Sequence, residues 1–142
     1  ATALDEFYTR YHGDALVLDK WFQVQSWSMR DDTPEAVERL AQHPDFTLSN
    51  PNRVRSLYGA LTGNQAAFHR KDGKGYQLIA DLVIALDGKN PQTAARMIPP
   101  LGRWKRFDAD RAAMMRAALE RILAQPGLSR DVTEQASKSL LA

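Results

Sequence analysis

The side chains best suited to bind a metal ion or transfer a proton are three histidines, His12, His43 and His69, which stand far apart in the sequence. None has a second histidine or an acidic residue at metal-ligand spacing on the same predicted helix. The chain has no cysteine, which excludes thiolate zinc sites, disulfides and cysteine nucleophiles. We therefore expect no catalytic residue, metal site or cofactor site made by this chain alone.

Hydroxyl nucleophiles and phosphate-binding loops are not indicated either. The serines fall in predicted caps and helices without a nearby base, so a hydrolase triad has no support. Gly73-Lys74-Gly75 lacks the strand and helix context that a phosphate-binding loop needs, and we interpret it as a turn.

Arginines are the remaining candidates for ligand binding. Arg53 and Arg55 follow Asn50 in the opening turns of a predicted helix, and Asn52 directly precedes Arg53. A positive charge at this end opposes the helix dipole unless an anion or carboxylate offsets it. The placement leaves two interpretations open, a salt bridge or solvated surface within the domain and a role towards a cavity.

A second basic group consists of Arg96 and the segment Arg103-Trp104-Lys105-Arg106. Basic residues around a tryptophan can bind nucleic acid through phosphates and stacking. The same residues in a last helical turn complement the helix dipole. We expect Trp104 to pack in the core and predict no nucleic-acid partner.

Helical periodicity runs through the chain, and no segment alternates convincingly at period two. Apolar residues recur on single helix faces, the clearest sets being Val54, Leu57, Tyr58 and Leu61; Tyr76, Ile79, Val83 and Leu86; and Ala112, Met115, Leu119 and Ile122. Met114 and Met115, and the cluster of Trp21, Phe22 and Trp27, are interpreted as core filling. The pattern predicts an all-α protein.

Caps and prolines mark the predicted helix boundaries. Thr33-Pro34, Asn50-Pro51 and Asn90-Pro91 each place a cap residue before proline, and Asp108 and Ser129 cap the last two helices. Pro99-Pro100 should bend or break the predicted helix 91–105 near Ile98. The predicted helices are 4–12, 14–29, 34–41, one from residue 51 to Gly63, a short one within 64–69, 76–86, 91–105, one from Asp108 to Pro126, and 129–141.

The two Asn-Pro caps, Asn50-Pro51-Asn52 and Asn90-Pro91-Gln92, stand about 40 residues apart. A period near 40 residues with two helices per unit is typical of HEAT and armadillo solenoids. We predict stacked antiparallel helix pairs, a HEAT/armadillo-like α-solenoid, forming a single domain over residues 1–142.

Composition limits the class of protein. Apolar residues make up 44% and charged residues 25%, as in an ordered globular domain, and the formal charge is only +2. The longest apolar stretch, 79–86, contains Asp81 and is far shorter than the ~20 residues of a membrane helix, so we predict no membrane span. The chain does not begin with Met, and we expect it to be a piece of a longer protein.

Several segments together resemble the C-terminal domain of bacterial aminopeptidase N, a zinc metallopeptidase of the M1 family. They occur in the same order along the whole chain: Leu16-Val17-Leu18-Asp19-Lys20-Trp21-Phe22, Leu48-Ser49-Asn50-Pro51-Asn52-Arg53-Val54-Arg55-Ser56-Leu57, Ala67-Phe68-His69, Asp72-Gly73-Lys74-Gly75-Tyr76, Asn90-Pro91-Gln92 and Met115-Arg116-Ala117-Ala118-Leu119-Glu120.

The resemblance implies a four-domain enzyme that removes N-terminal residues from peptides, with this chain as its last, non-catalytic helical domain. The H-E-x-x-H zinc motif and the G-A-M-E-N motif belong to an earlier domain and are absent from this chain. Zinc as the cofactor of the full-length enzyme, peptide substrates, the catalytic domain as partner and a cytoplasmic location follow from the same resemblance.

In this family the C-terminal domain closes an internal chamber and controls access to it. By resemblance Arg55 and Arg96 face the chamber, with Asn52, Arg53 and Arg103 as weaker candidates. The arginines could instead clamp the catalytic domain through salt bridges. Two other classes remain open from the residues: a freestanding HEAT-like protein-binding scaffold and a basic nucleic-acid module.

Overall fold

The computed structural model describes residues 15–27, 32–44 and 46–141, and every regular element within these ranges is helical. The predicted all-α class is confirmed. The predicted helix 4–12 lies outside the described residues, as do His12 and both ends of the predicted helix 14–29. No helix of the described ranges is long and apolar enough to cross a membrane.

The chain divides into two compact units, residues 1–67 and 68–142. The expectation of a single domain concerns both units together and stays a prediction. In the first unit the described helices are α1 (Ala15–Ser26), α2 (Thr33–Leu40), α3 (Pro51–Val54), a π-helical turn (Arg55–Gly59), α4 (Ala60–Gly63) and α5 (Gln65–Phe68), whose last residue begins the second unit. The second contains α6 (Lys74–Asp87), α7 (Pro91–Arg96), a 3-10 helix (Pro99–Arg106), α8 (Ala109–Leu123) and α9 (Arg130–Leu141).

The core of the first unit forms where α1 packs against α2, α3, the π-helical turn and α4. Its buried apolar side chains include Leu18, Trp21, Phe22, Val37, Val54, Leu57, Tyr58, Ala60 and Leu61. The predicted face of Val54, Leu57, Tyr58 and Leu61 is therefore confirmed. Trp27 does not belong to this core, because 59% of it is exposed just beyond the end of α1.

The core of the second unit forms where α6 packs on α7 and α8, and α9 packs on α7, α8 and the 3-10 helix. Its fully buried large side chains include Tyr76, Ile79, Leu86, Ile98, Leu101, Met115, Leu119 and Ile122. Met115 fills the core as predicted, whereas Met114 is only half-buried and lies beside Gly73.

Two boundaries differ from the prediction for local reasons. Thr33 is the first residue of α2 and not its cap, which is Asp32. The expected turn over 72–75 is shorter than predicted, because Gly73 adopts a φ of 76° and α6 begins directly after it at Lys74. A left-handed φ favours glycine, which has no Cβ to clash with the backbone.

The double proline breaks the segment 91–105 as predicted. α7 ends at Arg96, and a 3-10 helix begins at Pro99 with Arg103 in a non-helical conformation. Neither proline nitrogen can donate a helical hydrogen bond, so the α-helix cannot continue through them. Of the two predicted outcomes, a bend or a break near Ile98, the structure shows the break.

Candidate functional site

Asparagine caps begin the two helices that carry candidate arginines: Arg53 lies in the helix that follows Asn50, and Arg96 is the last residue of the helix that follows Asn90. The Asn50 side-chain oxygen accepts a hydrogen bond from the Arg53 amide at 3.1 Å, and that of Asn90 accepts one from the Thr93 amide at 3.1 Å. In both helices the residue after the cap is proline. The two predicted Asn-Pro starts are therefore the same local structure.

Arg53 is used inside the first unit. It is 7% exposed, its Nε donates to Asp19 Oδ1 at 2.5 Å, and its guanidinium lies over the Phe22 ring at 5.4 Å. Asp19 is thus the carboxylate that offsets a positive charge near a helix N-terminus. The salt-bridge interpretation holds for Arg53.

Asn52 and Arg55 are brought together on the surface of the same unit. Both side chains are exposed, and Arg55 Nη2 donates to Asn52 Oδ1. The backbone oxygen of Asn52 also accepts a bond from Ser56 Oγ at 2.9 Å. Since the Asn52 amide is neutral, it orients the guanidinium of Arg55 without cancelling its charge.

Arg96, in the second unit, is the last residue of α7 and is exposed. Among the described residues, no hydrogen bond or ion pair engages its guanidinium. It lines a groove of about 420 Å³ between α7 and α9, whose other lining residues are Gln92, Ala95, Asp131, Glu134, Gln135 and Lys138. Arg96 therefore presents a free cation in a polar groove.

Arg103 and Trp104 lie on the 3-10 helix of the second unit. Arg103 is exposed. We expected Trp104 to pack in the core, but it is only half-buried. Its Nε1 donates to the Ser139 carbonyl at 3.1 Å, which holds the ring at the edge of the unit. Lys105 and Arg116 lie over its ring at 5.4 and 5.1 Å. The tryptophan therefore already contacts two cations of its own unit.

His69 and Tyr76 form a half-buried polar contact that spacing did not predict. His69 Nδ1 lies 2.7 Å from Tyr76 Oη, and the imidazole stacks on Phe107 at 4.1 Å. Arg111 Nε donates to the His69 carbonyl at 2.7 Å. Burial, with the nearby charges of Arg111 and Arg103, lowers the pKa of His69 below 6.5.

Burial also raises the pKa of Tyr76 to about 12. Both rings are therefore uncharged at neutral pH. A neutral His-Tyr pair could carry a proton in an active site, but here the Phe107 ring covers the imidazole and the Phe68 ring packs edge-on against Tyr76 at 5.2 Å. The contact is a structural link between the start of α6 and the segments beside it.

Metal binding is not supported by the described part of the chain. Within it, no group of three or more histidine, aspartate or glutamate residues could hold a metal ion. His43 lies among Trp21 and Phe22, with ring centroids 5.3 and 5.8 Å away. His69 contacts Tyr76.

Known proteins resemble this chain along nearly its whole length. Residues 1–141 match the family described as a domain of unknown function (DUF3458_C) with ARM repeats. Aminopeptidase N of Caulobacter vibrioides is 48% identical over 142 residues, and aminopeptidase N of Escherichia coli is 46% identical over 138 residues. The alignments cover 97% and 96% of this chain, but only 16% of each relative.

Among solved structures, the fold is similar to part of Legionella pneumophila aminopeptidase A, whose structure was determined in complex with aspartic acid. The TM-score is 0.93 at 37% sequence identity, and the match covers 98% of this chain and 16% of that chain. The predicted resemblance to aminopeptidase N and the predicted armadillo-like fold are both confirmed. The chain belongs to the DUF3458_C family of ARM-repeat domains.

Proposed function

We propose that this chain is the non-catalytic helical domain of a zinc-dependent aminopeptidase N, which removes N-terminal residues from peptides, and that it closes the substrate chamber and controls access. The observation that carries the proposal is the extent of the similarity: it covers 97% of this chain but only 16% of the aminopeptidase N of Caulobacter vibrioides. A segment of that size leaves most of the polypeptide to form the catalytic centre. We place the whole enzyme in the bacterial cytoplasm.

The charges of the described residues support a role in attracting peptides. Arg55 is exposed and its guanidinium donates to the neutral amide of Asn52, and Arg96 is exposed in a polar groove. Exposed cations raise the local concentration of carboxylates, which every free peptide carries at its C-terminus. Arg53 is a weaker candidate because Asp19 already binds it, and Arg103 because it lies in a non-helical break and its charge already acts on His69.

Zinc would have to be bound elsewhere in the longer polypeptide. The described residues do not fit a zinc site, since no suitable group of three ligands exists among them. The contribution of this domain is therefore exclusion and electrostatic attraction, and we assign none of its residues a chemical step.

The experiment that tests this role uses the longer polypeptide with Arg55→Ala and Arg96→Ala. Each variant should raise KM for an acidic or free-carboxylate peptide about two- to tenfold, because one screened charge contributes little to binding. Turnover of a small aminoacyl dye should change less than twofold by the same reasoning.

A matched control is Lys89→Ala, which removes an exposed cation that follows α6 and lies outside the groove. The Lys89→Ala variant should leave the KM for the peptide and the turnover of the dye unchanged within experimental error. Equal effects of the arginine variants on peptide and dye would contradict the proposed attraction and favour a role for these residues in clamping the catalytic domain.

A further inference from the structure

The groove between α7 and α9 has an ordered set of polar side chains. α9 contributes four residues at positions i, i+3, i+4 and i+7, which share one helix face, namely Asp131, Glu134, Gln135 and Lys138. α7 contributes Gln92, Ala95 and Arg96 at i, i+3 and i+4. The volume, about 420 Å³, lies in the range of small-molecule sites.

The charges in the groove are separated along α9. Asp131 stands in the first turn of α9 and Lys138 in its last turn. Seven residues of α-helix place them about 10 Å apart along the axis. The groove is therefore anionic at one end of the α9 face and cationic at the other.

Two of the ionic side chains of α9 are available to a ligand. Glu134 Oε1 already accepts a bond from Arg130 Nε at 2.9 Å. In the described part of the chain, neither Asp131 nor Lys138 makes a hydrogen bond or ion pair, and the same holds for Arg96 on the facing helix. The charge of Arg130 acts on Asp131, but the two form no ion pair. Asp131, Lys138 and Arg96 therefore have no direct partner within the described residues.

We propose that this groove binds a short peptide with both ends free. The ammonium group of the peptide would pair with Asp131 and its carboxylate with Lys138, while Arg96 supplies a second cation in the same groove and the amides of Gln92 and Gln135 bind the peptide backbone. About three extended residues span about 10 Å, so a tripeptide fits the separation of charges. A single amino acid is too short to reach both ends.

The choice of a peptide over other zwitterions rests on the proposed function. The length and charge separation of the ligand are inferred from the groove residues alone. Binding should be weak, with a Kd on the order of millimolar, because every charged side chain involved is exposed. Such a site would retain substrates or products inside a chamber without trapping them.

The test is a titration of the 142-residue chain with trialanine, followed by NMR chemical shifts of the backbone amides. The expected result is a saturable shift confined to the amides of α7 and α9 that line the groove. Acetylating the peptide's amino end, or amidating its carboxyl end, should each weaken binding about two- to fivefold, because each removes one exposed charge pair. Alanine alone should shift these amides least.

Substitutions of charged groove residues test where each end of the peptide binds. Asp131→Asn should abolish the difference between trialanine and its acetylated form, and Lys138→Gln with Arg96→Gln should abolish the difference between trialanine and its amide. Lys105→Gln is the matched control, since this exposed cation lies on the 3-10 helix outside the groove. It should leave both differences unchanged.

The proposal is overturned if trialanine causes no saturable shift in the groove, or if capping either end leaves the affinity unchanged. It is also overturned if the groove variants behave like Lys105→Gln. The readout is binding to the chain without catalysis. A failure of the proposed aminopeptidase role, which is measured by hydrolysis in the longer polypeptide, would therefore be recognised separately.

Discussion

At the scale of single residues, Asp87 fixes the beginning of α9 from a buried position. Its Oδ2 accepts from the Ser129 amide at 2.9 Å, and its Oδ1 accepts from Ser129 Oγ at 2.5 Å. Ser129 Oγ in turn accepts from the Val132 amide at 3.2 Å, which caps the helix. One carboxylate thereby joins the last residue of α6 to the first turn of α9.

Replacing this carboxylate should destabilise the second unit. We expect Asp87→Ala to lower the free energy of unfolding by about 1–3 kcal/mol, because two donors of Ser129 lose their acceptor in a buried place. Asp81→Ala is the matched control. It removes an exposed ion pair with Arg121 and should cost less than about 1 kcal/mol. Urea unfolding measures both, and equal losses would show that the Asp87 contact contributes no more than a surface pair.

His69 should make stability depend on pH. Its pKa is lowered in the folded state, so the unfolded chain binds a proton more readily whenever the pH is below about 6.5. Stability is therefore fully present above that value and falls as the pH decreases through the lowered pKa of the folded state.

The comparison is urea unfolding at about pH 7.5 and about pH 5 for the native chain and for His69→Gln, across the range in which histidine titrates. The native chain should lose more stability than the variant between the two values. NMR titration of the His69 ring gives an independent reading, and a folded-state pKa at or above 6.5 would refute the expectation.

At the scale of elements, the start of α6 passes unusually close to the preceding backbone. A Cβ on Gly75 would lie 2.3 Å from the Phe68 carbonyl oxygen and 2.8 Å from Phe68 Cα. Backbone atoms cannot move aside as a flexible side chain can. Only glycine therefore allows this approach.

Gly75→Ala should lower the free energy of unfolding by roughly 1–3 kcal/mol, the usual range for overpacking. Gly88→Ala is the control at the other end of α6, where a Cβ would meet nothing within 4 Å and φ is −72°. It should stabilise the chain by about 0.4–1 kcal/mol, because alanine restricts the unfolded state. Thermal or urea unfolding distinguishes them, and a tolerated Gly75→Ala would mean that Phe68 can shift.

Features that depend on neighbouring residues could be predicted from the sequence. The caps at Asn50, Asn90, Asp108 and Ser129 are all confirmed, because each cap bonds to an amide three residues ahead. The break at Pro99-Pro100 follows equally from the missing amide hydrogens. Periodicity also identified the faces from Val54 to Leu61 and from Tyr76 to Leu86 correctly, whereas Ala112 on the third predicted face is only half-buried.

Features that depend on distant residues could not be predicted. Asp19 and Arg53 are 34 residues apart, and His69 meets Phe107 only because of how the second unit packs. The exposure of Trp27 and the partial burial of Trp104 depend on neighbours that spacing does not reveal. For the candidate site, arginine exposure and the groove beside Arg96 required the structure.

At the scale of the whole molecule, the chain spans about a sixth of the aminopeptidases that it resembles. We expect the purified chain to show no hydrolysis of an alanyl or leucyl dye, with or without added zinc, and the longer polypeptide to lose its activity in a chelator. Zinc-dependent turnover by the chain alone would contradict a non-catalytic role. An inactive longer polypeptide would favour the scaffold interpretation.

The π-helical turn at Arg55–Gly59 bears on how the chain could tolerate a change in length. A π turn holds more residues than an α turn, because its hydrogen bonds join residues five apart. Deleting one residue here would let the segment from Pro51 to Gly63 run as a regular α-helix. The residues before the deletion would then rotate by about 100° around the helix axis relative to those after it. The buried Arg53 would turn away from Asp19, and the outward aim of Arg55 would be lost, so the extra residue sets the direction in which this arginine points.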